Sequence, residues 1–414
     1  MARPTRSSMI SPDDITIAHI TTQTAQQMYL LGEDSGTGEN FSHRKDWIID
    51  IMAHQSLFMA IDILRFAIMD NHVHFLLRTR PDIVRGWSDQ EVARNYLQLC
   101  PRYNRRRKVD GKWVYEAREP RQCDIDEIVN DKSKLKKIRQ KLSSLSFWMQ
   151  LLKQKVARRS NLEVQKEGET KGAFWKGRFH MTVIHSREYL LACAVYIDLN
   201  PYRAKMTDSL EGYQYTSVYM QLVEVFGGML ERGDLSQADC GSLRRFPESV
   251  MLSPIEFIEQ QDQQLPASEA SESQDSESQL GVEESSSGDP GAQKPAGRCS
   301  DTGFLEITKE QYLELLTWCL EQRAADREGP VSGLEHAVVT SYGMSSWTWN
   351  DRLRRFSKLC RYEAGVSRRK LFEGVCGKST AAMELALRDA ENGLMARAGA
   401  SEGQVPGGPQ DYVI

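Results

Sequence analysis

Two apolar runs of strand length lie next to each other in this sequence, and they constrain the fold more than any other feature. They span Phe58 to Phe66 and Ala67 to Leu77, with Asp70 and Asn71 at or near their junction. Apolar runs of this length, separated by turn-forming residues, predict two neighbouring strands. The chain therefore contains a sheet, and the remaining patterns decide which kind.

Strand and helix patterns alternate on both sides of these runs. Apolar periodicity predicts further strands and helices in the order strand–helix–strand–strand–helix–strand–helix. The two added strands are Ile15–Ile20 and Phe179–His185. The first and last helices are His43–Leu57 and Arg187–Leu199, and the helical part between the third and fourth strands consists of Trp87–Leu99 and Leu142–Arg159. Ser88 and Glu91 match a capping box at the start of the second helix. The pattern predicts an α+β fold, an antiparallel sheet with helices on one face, close to the ferredoxin-like arrangement.

Composition divides the rest of the chain. Residues 101–141 are charge-rich and are expected to be an irregular insertion. Residues 260–302 are rich in Ser, Glu, Gln, Gly and Pro, which predicts a disordered acidic linker. The expected division is a flexible N-terminus (1–12), a main domain (13–225), an extension with the linker (226–302), a small all-α module (303–397) and a disordered tail (398–414).

The net charge of −4 hides a strongly basic segment. Residues 101–180 carry 22 Lys and Arg against 10 Asp and Glu, which favours a polyanion as partner. The eight cysteines form no Cys-x-x-Cys pair, no apolar run of about 18 residues occurs, and the first residues lack the apolar segment of a signal peptide. We expect a cytoplasmic protein, associated with the nucleoid in a prokaryote.

The second of the two strands carries a candidate metal site. Side chains alternate along a strand, so His72 and His74 are expected on one face with Val73 packed beneath. Two imidazoles on one face of a rigid element can bind one metal ion. The other histidines of the folded domain have no partner at ligand spacing and are expected to be structural or on the surface: His19, His43, His54, His180 and His185.

A second constellation lies at the end of the last helix. Tyr196 and Asn200 are four residues apart, a spacing that puts both on one helix face. Tyr196 can be a nucleophile and the Asn200 amide oxygen a metal ligand. The alternative is a core tyrosine and a helix-terminating asparagine before Pro201. Together with the histidine pair, the catalytic interpretation is the stronger one, because a metal ion that polarises a phosphodiester would assist attack by a phenol.

Three motifs in this order resemble those of the REP-associated (IS200-like) tyrosine transposases, which belong to the HUH single-strand endonucleases. The motifs are Asn71-His72-Val73-His74, Phe174-Trp175-Lys176-Gly177-Arg178-Phe179 and Val195-Tyr196-Ile197-Asp198-Leu199-Asn200-Pro201-Tyr202-Arg203-Ala204-Lys205. The resemblance covers residues 14–220. It implies a ferredoxin-like catalytic domain that cleaves and rejoins single-stranded DNA, often beside a folded hairpin.

By this resemblance, His72, His74 and Asn200 would bind Mg²⁺ or Mn²⁺, and Tyr196 would be the nucleophile. Asp70 and Tyr202 stand where family members commonly have Pro and either Val or Ala. Neither difference removes a catalytic group, although an acidic Asp70 near the metal is expected to alter ion preference.

Several basic and aromatic residues are candidates for DNA contact. The alternative for the basic cluster is a solvated loop, and Phe174 and Trp175 are either base-stacking or core aromatics. The candidates are Arg102, Arg105, Arg106, Arg107, Lys108, Lys153, Arg158, Trp175, Lys176 and Arg178.

The sequence thus predicts a single-stranded DNA transposase, monomeric or homodimeric, that acts on hairpin (REP-like) DNA through a 5′-phosphotyrosine. The alternative is an inactive, domesticated protein that still binds single-stranded or hairpin DNA. The C-terminal module carries basic residues that are either a second DNA contact or a solvated face: Arg352, Arg354, Arg355, Lys358, Arg361, Arg368, Arg369 and Lys370.

Overall fold

The computed structural model describes most of the first 223 residues and part of the remainder. The described ranges are 10–34, 37–102, 107–109, 112–114, 118–166, 172–223, 251–257, 297–325, 336–346 and 348–353. Side chains are described in these ranges except at 107–109, 112–114, 165–166 and 322–325.

Helices and strands alternate along the chain in nearly the expected order. The strands are β1 (Ile17–Gln23), β2 (Ile61–Ile68), β3 (His72–Thr79), β4 (Arg107–Val109), β5 (Lys112–Val114) and β6 (His180–Ile184). The helices are α1 (His43–Phe58), α2 (Pro81–Gly86), α3 (Asp89–Leu99), α4 (Gln122–Asn130), α5 (Lys132–Leu142), α6 (Leu145–Lys166), α7 (Arg187–Asp198), α8 (Asn200–Arg203), α9 (Lys309–Ala325) and α10 (Ala337–Ser341). None of the helices in the described ranges is long and apolar enough to cross a membrane.

Four of the strands form one antiparallel sheet in the order β2-β3-β1-β6. This is the strand order of the ferredoxin-like arrangement, with the two strands of the β2–β3 hairpin at one side and β1 beside β3. The predicted α+β class and antiparallel sheet are confirmed.

One face of this sheet is apolar and is covered by α1 and α6. Val73, Phe75 and Leu77 of β3 are fully buried on this face. The Phe75 ring meets the Trp148 ring of α6 at 5.1 Å between centroids. Helices were expected on one face only, and this is the face that they cover.

The structure differs from that expectation because α7 packs against the opposite face. Tyr196 of α7 contacts His74 of β3, whose side chain points away from Val73. The sheet therefore has a second buried face, called the polar face here, on which His74 and Arg78 flank the apolar Leu76.

The expected irregular insertion at 101–141 is largely wrong. It contains the β4–β5 hairpin and two helices, α4 and α5, of which α5 buries an apolar stripe of Leu135, Ile138 and Leu142. The capping box predicted at the start of α3 is confirmed, because Ser88 Oγ accepts from the Glu91 backbone N–H and the Glu91 carboxylate accepts from Ser88 N–H.

The last residues of the predicted linker pack on the sheet domain. Ser300 donates to Asp62 Oδ1 at 2.8 Å, and Arg78 donates to the Thr302 and Gly303 carbonyls. Gly303 is required at its position, because a Cβ there would lie 1.8 Å from the Glu256 carbonyl oxygen. The chain from 297 to 302 is thus folded. The rest of the predicted linker, 258–296, lies outside the described residues, as does the C-terminal module beyond 353.

Candidate active site

The two histidines of β3 lie side by side on the polar face of the sheet. The ring centroids of His72 and His74 are 5.0 Å apart, with the ring planes at 78°. Val73 between them is fully buried in the apolar core on the other side. Strand alternation therefore produces the arrangement that the sequence predicts, two imidazoles on one face of a rigid strand.

The residue before the pair orients His72. Asn71 donates from Nδ2 to the Gln27 carbonyl at 3.2 Å, which leaves Asn71 Oδ1 2.7 Å from His72 Nδ1. Because a carbonyl oxygen only accepts, His72 Nδ1 carries the proton and Nε2 keeps a lone pair. Gln27 presents its carbonyl from a left-handed backbone conformation with φ of 62°. This role of Asn71 was not predicted from the sequence, although its position directly before His72 indicated that the two side chains could meet.

His74 lies deeper and is held from both sides. Its Nε2 is 3.2 Å from Asn200 Nδ2, and its Nδ1 is 3.0 Å from His19 Nε2. All three side chains are buried. His19 was expected to be structural or on the surface, and the structure excludes the surface position, because the ring is buried against His74. Sequence spacing gives no signal for this contact, because β1 reaches β3 only through sheet pairing.

Tyr196 joins this cluster from α7. Its ring centroid is 5.7 Å from that of His74 and 6.2 Å from that of His19, in edge-to-face geometry. Asn200 was expected beyond the end of the helix. It does lie beyond the end of α7, and it is the first residue of α8, where Pro201 is tolerated because a first-turn N–H has no helical partner. Tyr196 and Asn200 both face the sheet, as their spacing predicts.

Burial keeps the imidazoles uncharged. It lowers the pKa of His19 to about 4 and that of His74 well below the usual range, with His72 lowering the latter further. Burial also lowers the pKa of His72, while the Asp70 carboxylate opposes that shift. Neutral imidazoles at pH 7 have the protonation state that metal ligation requires.

An arginine that the sequence analysis did not assign lies against the tyrosine. The Arg203 guanidinium is 4.8 Å from the centroid of the Tyr196 ring and donates to the Leu353 carbonyl at 2.7 Å. Burial lowers the pKa of Arg203, and Tyr196 opposes the shift. The signal for Arg203 was its position in the motif that contains Tyr196 and Asn200.

Asp70 is engaged by a lysine. Lys45 Nζ lies 2.6 Å from Asp70 Oδ1 and donates to Tyr213 Oη at 2.8 Å. A Cβ at Gly32 would lie 2.1 Å from Asp70 Cγ, so only glycine fits against this carboxyl group. The charge of Asp70 is thus compensated by Lys45, which weakens its expected effect on ion preference.

The donor set fits a divalent cation that accepts mixed nitrogen and oxygen ligands. His72 and His74 offer neutral ring nitrogens. The Asn200 side chain can offer its amide oxygen by rotating about its last bond, because the oxygen and nitrogen of an amide have nearly the same shape and differ only in their hydrogen bonds. Within the described residues, no three His, Cys, Asp or Glu side chains cluster as metal ligands.

Of the predicted DNA contacts, Lys176 and Arg178 are exposed at the edge of the sheet. The Lys176 N–H donates to the Gln23 carbonyl at 2.9 Å, and Gln23 pairs with His72 across β1 and β3. Gly177 between the two basic residues has φ of 120°, a conformation that favours glycine. The backbone thus places this basic segment near the exposed end of the histidine pair.

The aromatic residues and the residues of α6 that were considered for DNA contact differ in how far they are buried. Phe174 is buried in the core, which excludes it as an exposed stacking platform. Trp175 is half-buried, donates to the Lys153 carbonyl at 2.9 Å and lies beneath the Lys153 ammonium group, which also donates to the Gly177 carbonyl. Arg158 is exposed on α6.

The basic cluster before α4 is described only in part. Arg102 forms ion pairs with Asp124 and Glu127, so these carboxylates compete with phosphate for its guanidinium. The other predicted contacts of this cluster lie outside the described residues or side chains: Arg105, Arg106, Arg107 and Lys108.

Comparison with known proteins gives one weak structural similarity and no match in sequence. No protein-family model matches the chain, and no curated protein matches it either. Among solved structures, the chain is similar to that of a REP-associated tyrosine transposase bound to a REP hairpin. That similarity has a TM-score of 0.26 and 10% sequence identity, and it covers 56% of this chain and 89% of the other. A similarity of this size establishes neither a family nor an activity.

Proposed function

We propose that this protein is a metal-dependent single-stranded DNA transposase that cleaves and rejoins strands through a 5′-phosphotyrosine on Tyr196, at hairpin (REP-like) DNA. One observation carries the proposal. The Tyr196 ring lies 5.7 Å from the His74 ring, and the far nitrogen of that same imidazole meets the Asn200 amide at 3.2 Å. A phenol, two imidazoles and an amide from three separate elements thus converge.

His72 Nε2, His74 Nε2 and the Asn200 amide oxygen would hold the cation. A bound Mg²⁺ or Mn²⁺ ion supplies Lewis acidity, which polarises a phosphate and neutralises charge in the transition state. Tyr196 Oη forms a bond to phosphorus, the bond from phosphorus to the 3′ oxygen breaks, and the phenolic proton passes through solvent to the departing oxygen. The products are a 5′-phosphotyrosine and a free 3′-hydroxyl, and a second 3′-hydroxyl can reverse the step.

Arg203 favours the ionised tyrosine that this step needs. Its guanidinium packs on the Tyr196 ring and is partly withdrawn from water, so it attracts the developing phenolate more strongly than an exposed cation would. Arg203 is a positioning residue in this proposal, because the structure places it against the tyrosine ring rather than against substrate.

Substrate would approach from the side of His72. His74, Tyr196 and Asn200 are buried, while His72 is partly exposed. Lys176 and Arg178 stand exposed near that end of the pair and would contact backbone phosphates.

The test is formation of a covalent adduct. The protein is incubated with 5′- or 3′-labelled single-stranded DNA that contains a hairpin, in Mn²⁺, and denatured before electrophoresis. We expect the 3′ label to stay with the wild-type protein and the 5′ label to leave on a fragment that ends in a 3′-hydroxyl. Tyr196→Phe should lose the adduct while its DNA affinity stays within about twofold. Tyr189→Phe on the same helix is the matched control and should retain the adduct.

Two outcomes would contradict the proposal. Cleavage that persists in Tyr196→Phe would assign the nucleophile to water or another residue. Tight binding of hairpin DNA by the wild type with no adduct across a library of hairpins would favour the inactive DNA-binding alternative.

A further inference from the structure

We propose that His19 is a positioning residue that holds His74 in the tautomer protonated at Nδ1, so that Nε2 faces the metal position. This inference rests on the proposed function, since it concerns the same site. It assigns a role to a third histidine that contributes no ligand of its own.

The contact between the two histidines is direct and buried. His19 Nε2 lies 3.0 Å from His74 Nδ1, and the two rings lie edge to edge and nearly coplanar, with centroids 5.2 Å apart and planes at 9°. Sheet pairing fixes this geometry, because Thr21 of β1 pairs with His74 and His19 lies two residues away on the same face. A side chain held by the register of two central strands has little freedom to leave its partner.

The hydrogen bonds around His74 admit two proton arrangements. In the first, His74 Nδ1 donates to His19 Nε2, and His74 Nε2 keeps its lone pair, which accepts from the Asn200 amide in the absence of metal. In the second, His19 Nε2 donates to His74 Nδ1, so His74 carries its proton on Nε2, where a metal ion would have to displace it. Only the first arrangement presents His74 as a ready ligand.

The first arrangement also matches what happens at His72. There the Asn71 carbonyl oxygen accepts from Nδ1 and leaves Nε2 for a ligand. With His19 as acceptor, both imidazoles are held through Nδ1 and both offer Nε2. Partners of this kind orient metal-ligating histidines generally, and their removal weakens metal affinity by about 10–100-fold.

The first measurement needs neither metal nor DNA. Long-range ¹H–¹⁵N NMR spectra of the metal-free protein with labelled histidine report which ring nitrogen is protonated, and the His74 signals are assigned by their absence in His74→Gln. We expect His74 to be protonated at Nδ1 in the wild type and to lose that preference in His19→Phe, which keeps a ring of similar shape and removes the acceptor. A wild-type His74 protonated at Nε2 would overturn the proposal.

The second measurement is Mn²⁺ affinity by calorimetry. We expect His19→Phe to bind Mn²⁺ about 10–100-fold more weakly and His19→Gln, whose amide oxygen can accept from Nδ1, to recover most of the loss. His185→Phe, at the end of β6, is the matched control and should bind as the wild type does. An affinity within twofold of wild type in a folded His19→Phe would also overturn the proposal.

These readouts separate the inference from the function on which it rests. Absence of Mn²⁺ binding by the wild type, or absence of an adduct with bound Mn²⁺, would count against the transposase. The His74 tautomer in the metal-free protein tests the role of His19 whatever the fate of the transposase.

Discussion

The two faces of the central sheet bury different kinds of side chain. Beneath α1 and α6, the β3 residues Val73, Phe75 and Leu77 belong to a continuous apolar core. On the opposite face, the same strand buries the polar residues His74 and Arg78 on either side of Leu76. Apolar burial stabilises the fold without specifying partners, whereas each buried polar group needs a particular donor or acceptor. One face of β3 thus contributes to the apolar core that stabilises the fold, and the other face contributes side chains to the candidate active site.

Neighbouring residues on β3 give the sharpest test of that division. We expect His72→Ala to lose more than about 100-fold in Mn²⁺-dependent cleavage, because it removes a proposed ligand, with little change in thermal stability. Val73→Ala should do the reverse, lowering the free energy of unfolding by about 1–3 kcal/mol while the folded fraction keeps its Mn²⁺ affinity. A cleavage assay measures the first effect, and urea denaturation with Mn²⁺ calorimetry measures the second. If Val73→Ala abolished Mn²⁺ binding in folded protein, the two faces would not be independent.

The polar face also contains an ion pair that links β2 to α7. Arg65 Nε of β2 lies 3.0 Å from Asp198 Oδ2, two residues after Tyr196, and both side chains are fully buried. Arg65→Met should lower the free energy of unfolding by about 3–5 kcal/mol, because it leaves a buried carboxylate without its cation. Denaturant unfolding measures this.

An exposed pair supplies the control for Arg65. Arg187→Ala breaks a solvent-exposed contact with Glu306 and should cost less than about 1 kcal/mol. The double replacement Arg65→Met with Asp198→Leu should recover part of the loss, because neither charge is then buried. A loss as large in the double variant as in Arg65→Met would mean that packing, rather than charge, explains the effect.

Local patterns were easier to predict from sequence than contacts between elements that are distant along the chain. Alternation along β3, the capping box at Ser88 and the spacing of Tyr196 and Asn200 are local patterns, and the structure contains each of them. The helix α5 was missed because its many lysines obscured an apolar stripe that was present in the sequence. His19 left no local pattern, since strand pairing alone brings it to His74.

The partner of Asp198 was hidden by the predicted domain boundary. Tyr312 of α9 donates to Asp198 Oδ2 at 2.7 Å, so a residue assigned to a separate module completes the buried network of the sheet domain. Composition marks where a chain turns polar, and it does not show which later segment returns to pack on an earlier one.

Tyr312→Phe tests how much that returning segment contributes. We expect a loss of about 1–3 kcal/mol in the free energy of unfolding, because a buried carboxylate loses one hydrogen bond and the ring keeps its packing. Tyr29→Phe, an exposed tyrosine, is the control and should change little. A loss equal to that of the control would mean that Asp198 is satisfied without α9.

A deletion can then be placed so that it tests the basic C-terminal residues and not the fold. Removal of 300–414 would delete Tyr312 and Leu353, and so would disturb Asp198 and Arg203 directly. Removal of 357–414 spares both contacts. If hairpin affinity at fixed salt is unchanged in the shorter deletion, the basic residues beyond 356 make no DNA contact of consequence.

The smallest expected effects lie at the exposed edge of the polar face. Lys176→Gln and Arg178→Gln should each weaken binding of single-stranded DNA modestly and reduce the slope of log affinity against log salt by about 0.7, the value for one lost phosphate contact. Lys132→Gln is the matched control, because that lysine is exposed on α5 and pairs with Asp89. Fluorescence anisotropy titrations at several salt concentrations measure the slopes. Equal slopes in wild type and both edge variants would place the strand elsewhere, and the polar face would then have its entrance at another side of His72.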